Sequence, residues 1–324
     1  MNDGKAIQLR LFENERPNLS VREAILGVKW SYSRRSVLEQ CSRRYYYQYF
    51  GASKKTASKE PDKEILHFLK SRVQSRHLVS GGVLHTVIKT YLMKAREGDR
   101  WDVTRLVNFA KKLYGESWNY SRDNPDGKIP LSVKYPPSLL QEYYFDIPEA
   151  DSACAVEEGR LLGAVRSFAS NELYREFRRA GSRDTSLVEE KVQLTNFPCK
   201  AGGKIDLAFM ENGYVNVLDW KLGQADGIGD ESLQLAFYAI WAVVHFRSVP
   251  DSLKIYKVHL SSDEIVHFGL NADILASARA RIIQDAERMS LLEKYGTEGA
   301  VDAFSRCEKP LVCRDCLFRR VCHA

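Results

Sequence analysis

The sequence predicts an α/β protein in which a large helical section precedes a core of strands and helices. Two observations favour this fold class. Residues 102–180 read mainly as helices, whereas from Ser186 apolar and polar residues alternate in short segments separated by Gly, Asn and Pro. The resulting order of helices, three strands, a helix, two strands and a final helix is typical of an α/β core.

Two helices are predicted near the N-terminus. In the first, WSYSRRSVLEQCSRRYYYQYFG, Ser33 is the expected N-cap, Gly51 is the stop and Cys41 faces inward. The second opens after the paired glycines of SGGVLHTVIKTYLMKAREG and carries His85 beside its apolar face. Two polar stretches are predicted to be a lysine-rich loop and a Pro-rich break between helices: ASKKTASKEPDKE and NPDGKIPLSVKYPP.

The core begins with three predicted strands that form a β meander: SLVEEKVQL, GGKIDLAFM and YVNVLDWKL. An apolar helix within ESLQLAFYAIWAVVHF comes next, then two more strands, LKIYKVHL and EIVHFGL. A long amphipathic helix from about Asp273 to Tyr295 leads into a cysteine-dense tail. We expect one integrated domain with four sequential parts: an N-terminal helical segment (1–80), a section with the histidine-bearing helix (81–185), the core (186–270) and a C-terminal helix with the cysteine segment (271–324).

The composition is that of a globular protein, with 44% hydrophobic and 28% charged residues among 324. No apolar run approaches the length of a membrane span, and MNDGKAIQLRLFENERP lacks the apolar region of a signal peptide, so we expect a cytoplasmic protein with no membrane partner. The net charge of +6 suits a polyanionic partner without proving one. Seven cysteines in such a chain favour metal or cluster ligation over disulfides.

Charged residues interrupt two of the predicted core strands. Asp219 and Lys221 lie two residues apart in NVLDWKLGQ and share one face, while Leu218 and Trp220 take the other. Asp206 interrupts GGKIDLAFM on the preceding strand. A buried carboxylate is costly unless a cation or several donors compensate it. If the hairpin brings Asp206 next to Asp219, the pair suits a hard divalent ion such as Mg²⁺.

The strings GGKIDLAF, LDWKLG and LQLAFYA resemble the PD-(D/E)XK nuclease superfamily in its RecB-like branch, where an Asp, a D-x-K and a Q-x-x-x-Y follow in that order. Gln234 and Tyr238 fill the last motif. Gly81 and His85 match the G-x-x-x-H that the branch carries on an earlier helix. Ile205 stands where the superfamily has a nominal proline, as is common in this branch. The resemblance implies a restriction-endonuclease-like mixed β-sheet flanked by helices.

By this resemblance, Asp206, Asp219 and His85 hold Mg²⁺ or Mn²⁺, helped by the backbone carbonyl of Trp220. Lys221 orients the attacking water and stabilises the charge that grows on the phosphate. Phosphodiester hydrolysis requires a metal-activated water, neutralised phosphate charge and a positioned cation, and these residues supply each.

The resemblance also implies that Gln234 and Tyr238 flank the site and contact the nucleic-acid strand. A glutamate on the first core strand joins the site in many members of the family. Because adjacent residues of a strand face opposite ways, only one of Glu189 and Glu190 can point into the site. We expect it to be Glu190.

The tail FSRCEKPLVCRDCLFRRVCHA holds four cysteines, and so dense a group predicts coordination. Cys313, Cys316 and Cys322 form a C-x2-C-x5-C pattern similar to the iron-sulfur motif of RecB-like nucleases, including AddB-like and CRISPR-associated members. In those relatives the fourth thiolate comes from an upstream helix, where Cys41 matches. The resemblance implies a [4Fe-4S] cluster on these four thiolates. As a cross-link over so long a loop, it would contribute about 5 kcal/mol to stability in a chain-entropy model.

A local alternative is a four-thiolate Zn²⁺ site in which Cys307 takes the place of Cys41. The spacing lacks two C-x2-C pairs, which makes a zinc ribbon the weaker interpretation. Cys154 and Cys199 have no partners at ligand spacing and are expected to be ordinary cysteines.

Three functions are compatible with these patterns. The first is a metal-dependent DNA nuclease stapled by an iron-sulfur cluster, expected to be an exonuclease at or near single-stranded ends in repair, recombination or defence. Because the sequence has no G-x-x-x-x-G-K-[ST] loop, a helicase or another repair or defence subunit would be a separate partner. The second is a non-cleaving nucleic-acid-binding or scaffolding subunit with the same fold. The third is a zinc-bearing DNA-binding protein whose carboxylates are incidental.

Overall fold

The computed structural model describes residues 25–53, 62–127, 137–223 and 232–323. Most of the predicted loop ASKKTASKEPDKE and most of the predicted break NPDGKIPLSVKYPP lie outside these residues. The architecture is mixed α/β, with a central sheet and helices around it, which confirms the predicted fold class. None of the described helices is both long and apolar enough to cross a membrane.

The strands, in chain order, are β1 (Lys29–Trp30), β2 (Val73–Gln74), β3 (Leu139–Leu140), β4 (Leu187–Gln193), β5 (Lys200–Glu211), β6 (Tyr214–Lys221), β7 (Leu253–His259) and β8 (Glu264–Phe268). The helices are α1 (Tyr32–Gln40), α2 (Ser42–Tyr46), α3 (Asp62–Arg72), α4 (Arg76–Arg96), α5 (Val103–Asp123), α6 (Gln141–Tyr144), α7 (Ala150–Ser170), α8 (Arg175–Gly181), α9 (Ser232–Phe246), α10 (Ala272–Glu298), α11 (Pro310–Arg314) and α12 (Arg319–Cys322).

The main sheet of the described residues has six strands in the order β1-β5-β6-β7-β8, with β4 also paired to β5. Strands β4, β5 and β6 form the predicted antiparallel meander, while β7 runs parallel to β6 and antiparallel to β8. Helix α9 makes the crossover from β6 to β7, because parallel neighbours need a long connection. Asn212 and Gly213 close the β5–β6 hairpin with positive φ angles, as a two-residue type I′ turn requires.

The sheet separates two hydrophobic cores, and alternate residues of β6 enter different ones. Val215 and Val217 belong to the core that α9 and α10 cover, whereas Leu218 and Trp220 belong to the core that α4, α5 and α7 cover. This alternation confirms the period-two pattern predicted for the strand. Asp219, at the C-terminal end of β6, lies on the same face of the strand as Val215 and Val217.

The first predicted helix is interrupted at Cys41. Its first part, α1, is capped by the hydroxyl of Ser31, so the expectation of Ser33 as N-cap is wrong. Cys41 has an extended backbone, with φ −164° and ψ 116°, and its Sγ accepts the N–H of Arg44 at 3.4 Å, which caps α2. A π-helical turn, Tyr47–Gly51, then ends the segment at the predicted glycine. The thiol of Cys41 therefore lies at a helix start.

The later predicted elements are confirmed with one change of boundary. Helix α4 begins before the paired glycines, because the hydroxyl of Ser75 caps it by accepting the N–H of Leu78 at 3.3 Å. Gly81 and Gly82 lie inside the helix. The apolar helix is α9, the two later strands are β7 and β8, and the long amphipathic helix is α10.

A buried arginine docks the C-terminal tail on α2. Arg43 donates from its Nε to the carbonyl of Phe304 at 2.7 Å and from its backbone N–H to the carbonyl of Ser305 at 2.9 Å. The ring of Phe304 is fully buried against Tyr46, with 5.0 Å between ring centroids. These contacts bring the start of the cysteine-rich tail beside the segment that carries Cys41.

A buried carboxylate ties α4 to α7. Glu157 is 3% exposed, and its oxygens contact His77, Ser80 and Arg160. Burial alone would raise the pKa of Glu157, but these hydrogen bonds outweigh burial and lower its pKa to about 2. The ionised carboxylate is therefore stabilised in the folded protein.

We expect Glu157→Gln to lower the free energy of unfolding at pH 7 by up to about 3 kcal/mol, at about 1.4 kcal/mol for each unit of lowered pKa. A lowered carboxyl pKa stabilises the fold above the ordinary value of 4.5, and this contribution is lost as the pH falls towards 2. Urea denaturation at pH 7 and pH 3 measures both effects. Glu158→Gln, the adjacent substitution, is the matched control. Equal effects of the two substitutions at pH 7 would contradict this account.

Candidate metal centre

Three carboxylates stand side by side on neighbouring strands. The residue pairs on either side fix the antiparallel register of these strands. This register places Glu189 of β4 opposite Asp206 of β5, and Asp206 opposite Asp219 of β6. Opposed residues of antiparallel strands project from the same face. The three residues are 8%, 5% and 3% exposed, respectively. The register thus gathers three buried carboxylates in one row, which confirms that the hairpin brings Asp206 and Asp219 together.

Glu189 enters the site, and the expectation of Glu190 is wrong. Glu190 is exposed to solvent, whereas the carboxylate of Glu189 lies 2.9 Å from Nδ1 of His85. Glu189 has a φ of 55°, in the left-handed region that residues with a side chain rarely adopt. This backbone angle breaks the period-two alternation of β4, so counting alternate residues could not identify the correct glutamate. Strained angles of this kind are concentrated at functional sites.

His85 of α4 joins Glu189 and Asp206 in a group of side chains that can bind a metal ion. Its Nδ1 lies 2.9 Å from Oε1 of Glu189 and 3.2 Å from Oδ1 of Asp206. One ligand atom from each of the three residues lies within 4.8 Å of the others. Burial of the imidazole lowers its pKa, but the two carboxylates outweigh burial and raise the pKa of His85 to about 10. The two carboxylates thus hold a positive charge beside them, and the imidazole nitrogen and carboxylate oxygens of this group are donors that suit a divalent cation.

Trp220 meets the carboxylates through its backbone N–H. This N–H donates to Oδ2 of Asp206 at 2.7 Å. The indole ring lies on the other face of the sheet, against Phe168 and Phe177, with ring centroids 5.6 and 6.0 Å away. That orientation is the one predicted for the strand, and the metal-binding role of the Trp220 carbonyl stays a prediction.

Two lysine amines lie against the carboxylate row. Nζ of Lys221 is 2.8 Å from Oδ2 of Asp219, and Nζ of Lys204 pairs with the second oxygen of Glu189. Lys204 precedes Asp206 by two residues and therefore shares its face of β5. Both amines partly offset the negative charge. The same-face spacing that identified Lys221 also identifies Lys204, to which the family motif assigns no role.

Gln234 and Tyr238 of α9 direct their polar groups towards β5 and β6. Nε2 of Gln234 donates to the hydroxyl oxygen of Tyr238 at 2.7 Å and to Oδ1 of Asp219 at 3.4 Å. The hydroxyl of Tyr238 donates to the carbonyl of Lys204 at 2.8 Å. Burial, together with the charges of Asp219 and Asp206, raises the pKa of Tyr238, so the hydroxyl remains a donor.

These side chains open onto a cavity of about 560 Å³. Strands β4, β5 and β6 supply the carboxylates and two lysines, and α9 supplies Gln234 and Tyr238. Helix α4 forms the remaining side with Gly82, Thr86, Lys89 and Thr90 besides His85. A cavity of this size admits a small ligand or part of a larger one. The arrangement can hold a cation deep in the cavity and an anionic substrate group next to it.

Five cysteines line a second cavity, between α2 and the C-terminal tail: Cys41, Cys307, Cys313, Cys316 and Cys322. All seven cysteines lie among the described residues and are free thiols. The structure therefore brings together the four predicted cluster ligands, with the rival ligand Cys307 alongside them. Cys154 and Cys199 lie separately in the two hydrophobic cores.

The surroundings of the five thiols act on the charge of the sulfur atoms in opposite directions. Sγ of Cys307 accepts the N–H of Lys309 at 3.3 Å, as Sγ of Cys41 accepts a backbone N–H. Burial, followed by the other thiols of the cavity, raises the pKa of Cys313. Arg44, Arg306 and Arg319 line the same cavity and can offset the charge of bound thiolates.

A model of the PD-(D/E)XK nuclease superfamily matches residues 29–323 of the chain. The match spans every strand and helix that contributes to the carboxylate row and to the cysteine cavity. A search of curated proteins finds no match. Among solved structures, the crystal structure of SSO0001 is 14% identical over 57% of this chain and 81% of that one, with a TM-score of 0.28. A TM-score this low does not establish a shared fold.

We expect Glu189→Gln to weaken Mn²⁺ binding by about 10-fold or more, because it removes one of the charged groups around His85. Glu190→Gln, the adjacent substitution on the exposed side of the strand, is the matched control and is expected to change the dissociation constant less than twofold. Calorimetric titration of each variant with Mn²⁺ measures the difference. A larger loss in Glu190→Gln than in Glu189→Gln would reverse the assignment.

Proposed function

The chain belongs to the PD-(D/E)XK nuclease superfamily, and from this premise we propose that it is a metal-dependent DNA nuclease of the RecB-like branch. It hydrolyses phosphodiester bonds as an exonuclease at or near single-stranded ends. The observation that carries the proposal is the row of Glu189, Asp206 and Asp219, with Lys221 beside it, at the wall of an open cavity.

The metal is Mg²⁺ or Mn²⁺. His85, Glu189 and Asp206 would hold it, and Asp219 completes the acidic row. Carboxylate oxygens are the preferred ligands of these ions. When bound, the ion supplies an activated water and neutralises charge on the phosphate. The burial of Glu189 and Asp206 beside His85 supports this assignment, because buried carboxylates gathered in one place need a cation to balance their charge.

Lys221 supplies the positioned cation of the reaction. Its side chain is 26% exposed and is held by Asp219 at 2.8 Å, so the amine stays at the wall of the cavity. An amine in that place can orient a water molecule and can stabilise negative charge that develops on a phosphate. Because the site is partly shielded from water, the charge interaction is stronger there than in bulk solvent.

Three lysines of the same cavity support a polyanionic substrate. Lys89 comes from α4, whereas Lys204 and Lys221 come from the sheet, so the amines line different sides. Amines that surround a cavity suit the repeating charge of a phosphate backbone. The cavity is bounded by α4 and α9, and an extended strand end can enter between two helices more easily than the middle of a duplex can.

A [4Fe-4S] cluster on Cys41, Cys313, Cys316 and Cys322 is the second cofactor of the proposal. It would join the N-terminal helices to the tail and needs no redox role. A tetrahedral zinc site would use Cys307, Cys313, Cys316 and Cys322. The position of Cys41 at the wall of the same cavity as Cys313, Cys316 and Cys322 supports the cluster, because the local zinc site would not use Cys41.

A nuclease of this kind acts on strands that other proteins expose. The sequence has no phosphate-binding loop of the motor type, so a separate helicase or another repair or defence subunit would supply the strand end. DNA repair, recombination or defence against foreign DNA are the processes that need such an activity.

Asp219→Asn is expected to reduce cleavage of end-labelled single- and double-stranded DNA about 100-fold or more in Mg²⁺ or Mn²⁺, because the carboxylate of the D-x-K pair is lost. Asp251→Asn, at an exposed position outside the cavity, is the control and should leave the rate unchanged. Undiminished cleavage by Asp219→Asn would exclude the proposed site. Binding without cleavage by the wild-type protein would favour a scaffolding role.

Cys41→Ser is expected to abolish iron and sulfide binding after anaerobic purification, whereas Cys307→Ser is expected to retain both, because Cys41 is the proposed fourth ligand. Iron, acid-labile sulfide and zinc analyses on the same samples distinguish the cofactors. Stoichiometric zinc in the wild type that is lost in Cys307→Ser, but kept in Cys41→Ser, would establish the local zinc site instead.

A further inference from the structure

A chain of three hydrogen bonds connects the two strands that carry the catalytic aspartates. Its first bond joins Asp219 on β6 to Gln234, its second joins Gln234 to Tyr238, and its third joins Tyr238 to the backbone carbonyl of Lys204 on β5. Lys204 lies two residues before Asp206. Helix α9 therefore links the carboxylate of one strand to the backbone of the next.

The donors of this chain are already used inside the protein. The Nε2 group of Gln234 donates to two protein oxygens, and the hydroxyl of Tyr238 donates its proton to a carbonyl. Tyr238 is 4% exposed. Phosphate oxygens only accept hydrogen bonds, so a nucleic-acid backbone needs donors that are not already engaged. These two side chains are poorly suited to hold a phosphate.

The first of these bonds and a neighbouring lysine constrain Asp219 from two sides. Gln234 approaches Oδ1 of the carboxylate, and the amine of Lys221 approaches Oδ2 at 2.8 Å. Partners on both oxygens fix the plane of a carboxylate, as hydrogen bonds to ligand groups commonly do in metal sites. The orientation of Asp219 therefore depends on α9 as well as on its own strand.

A close packing contact supports the rigidity of this link. A Cβ atom at Gly203 would lie 2.8 Å from the ring of Phe237, so β5 and α9 touch directly beside Lys204. Phe237 precedes Tyr238 in the helix. With the ring of Phe237 packed directly on the backbone of β5, the bond from Tyr238 to the Lys204 carbonyl has little freedom to change its geometry.

We propose that Gln234 and Tyr238 are positioning residues that hold Asp219 and the Asp206 strand in the orientation a divalent metal requires, and that they do not bind the nucleic-acid strand. This inference rests on the proposed function, since it concerns the metal of that same site. It departs from the role that the family motif implies for Q-x-x-x-Y.

Mn²⁺ binding in the absence of DNA tests the inference directly. We expect Tyr238→Phe and Gln234→Leu each to raise the dissociation constant for Mn²⁺ about 10-fold, the size of effect that partners of metal ligands produce. The double variant should be little worse than either single variant, because both interrupt the same chain. Tyr174→Phe, which removes another buried hydroxyl whose partner is Asp263, is the matched control and should bind Mn²⁺ normally.

Binding and cleavage of a single-stranded oligonucleotide separate positioning from contact. In Ca²⁺, we expect the affinity of both variants for the oligonucleotide to stay within twofold of wild type. In Mn²⁺ at saturating metal, kcat should fall while KM stays constant. Unchanged Mn²⁺ affinity together with weakened oligonucleotide binding would overturn the proposal and establish direct contact.

Two further outcomes are informative. If wild-type protein binds Mn²⁺ but cuts no DNA, the proposed function fails, and the Mn²⁺ series still decides the positioning role. If wild-type protein binds no Mn²⁺, both proposals fail. Thermal melting of each variant checks folding, and Gln234→Leu decides the matter if Tyr238→Phe is unfolded, because Gln234 is only partly buried.

Discussion

The electrostatic cost of burying Glu189, Asp206 and Asp219 side by side is the constraint on which the site depends. The strand register puts the three carboxylates in one row, and like charges at such positions repel strongly unless cations or donors compensate them. His85 from α4, two lysine amines, a backbone N–H and Gln234 from α9 provide that compensation within the protein. Each flanking helix is thus held in place partly by the charge of the sheet. A divalent ion would take over much of this compensation, and the lysines would then be available to a phosphate.

The cysteine cavity lies where the C-terminal tail attaches to the N-terminal helices. Arg43 and the aromatic packing of Phe304 dock the tail next to α2 without any cofactor. The break at Cys41 turns one thiol towards four others from the tail. A cluster bound there would add a cross-link between distant parts of the sequence to a contact that already exists. The residues that line the cysteine cavity and those that line the carboxylate cavity are different, so we expect a substitution in one cavity to leave the other intact.

Much of this arrangement could be predicted from the sequence, because it follows from local patterns. Alternation in YVNVLDWKL identified the face of Asp219 and Lys221, and apolar periodicity identified α9 and α10. The wrong expectations have physical causes. The positive φ of Glu189 breaks the alternation of β4, so the expectation of Glu190 was wrong. The extended backbone at Cys41 interrupts a segment of good helix formers. The inward hydrogen bonds of Tyr238 depend on how closely α9 packs on β5, which is a tertiary property that no single segment encodes.

We propose that His85 and the carboxylate row form one metal centre, and electron paramagnetic resonance of Mn²⁺-loaded protein can show whether His85 binds the ion. Nitrogen hyperfine coupling to the Mn²⁺ reports a histidine ligand. We expect one Mn²⁺ per chain with nitrogen coupling that disappears in His85→Gln and persists in His77→Gln. Nitrogen coupling that persists in His85→Gln, or Mn²⁺ binding that shows no nitrogen coupling in the wild type, would contradict it.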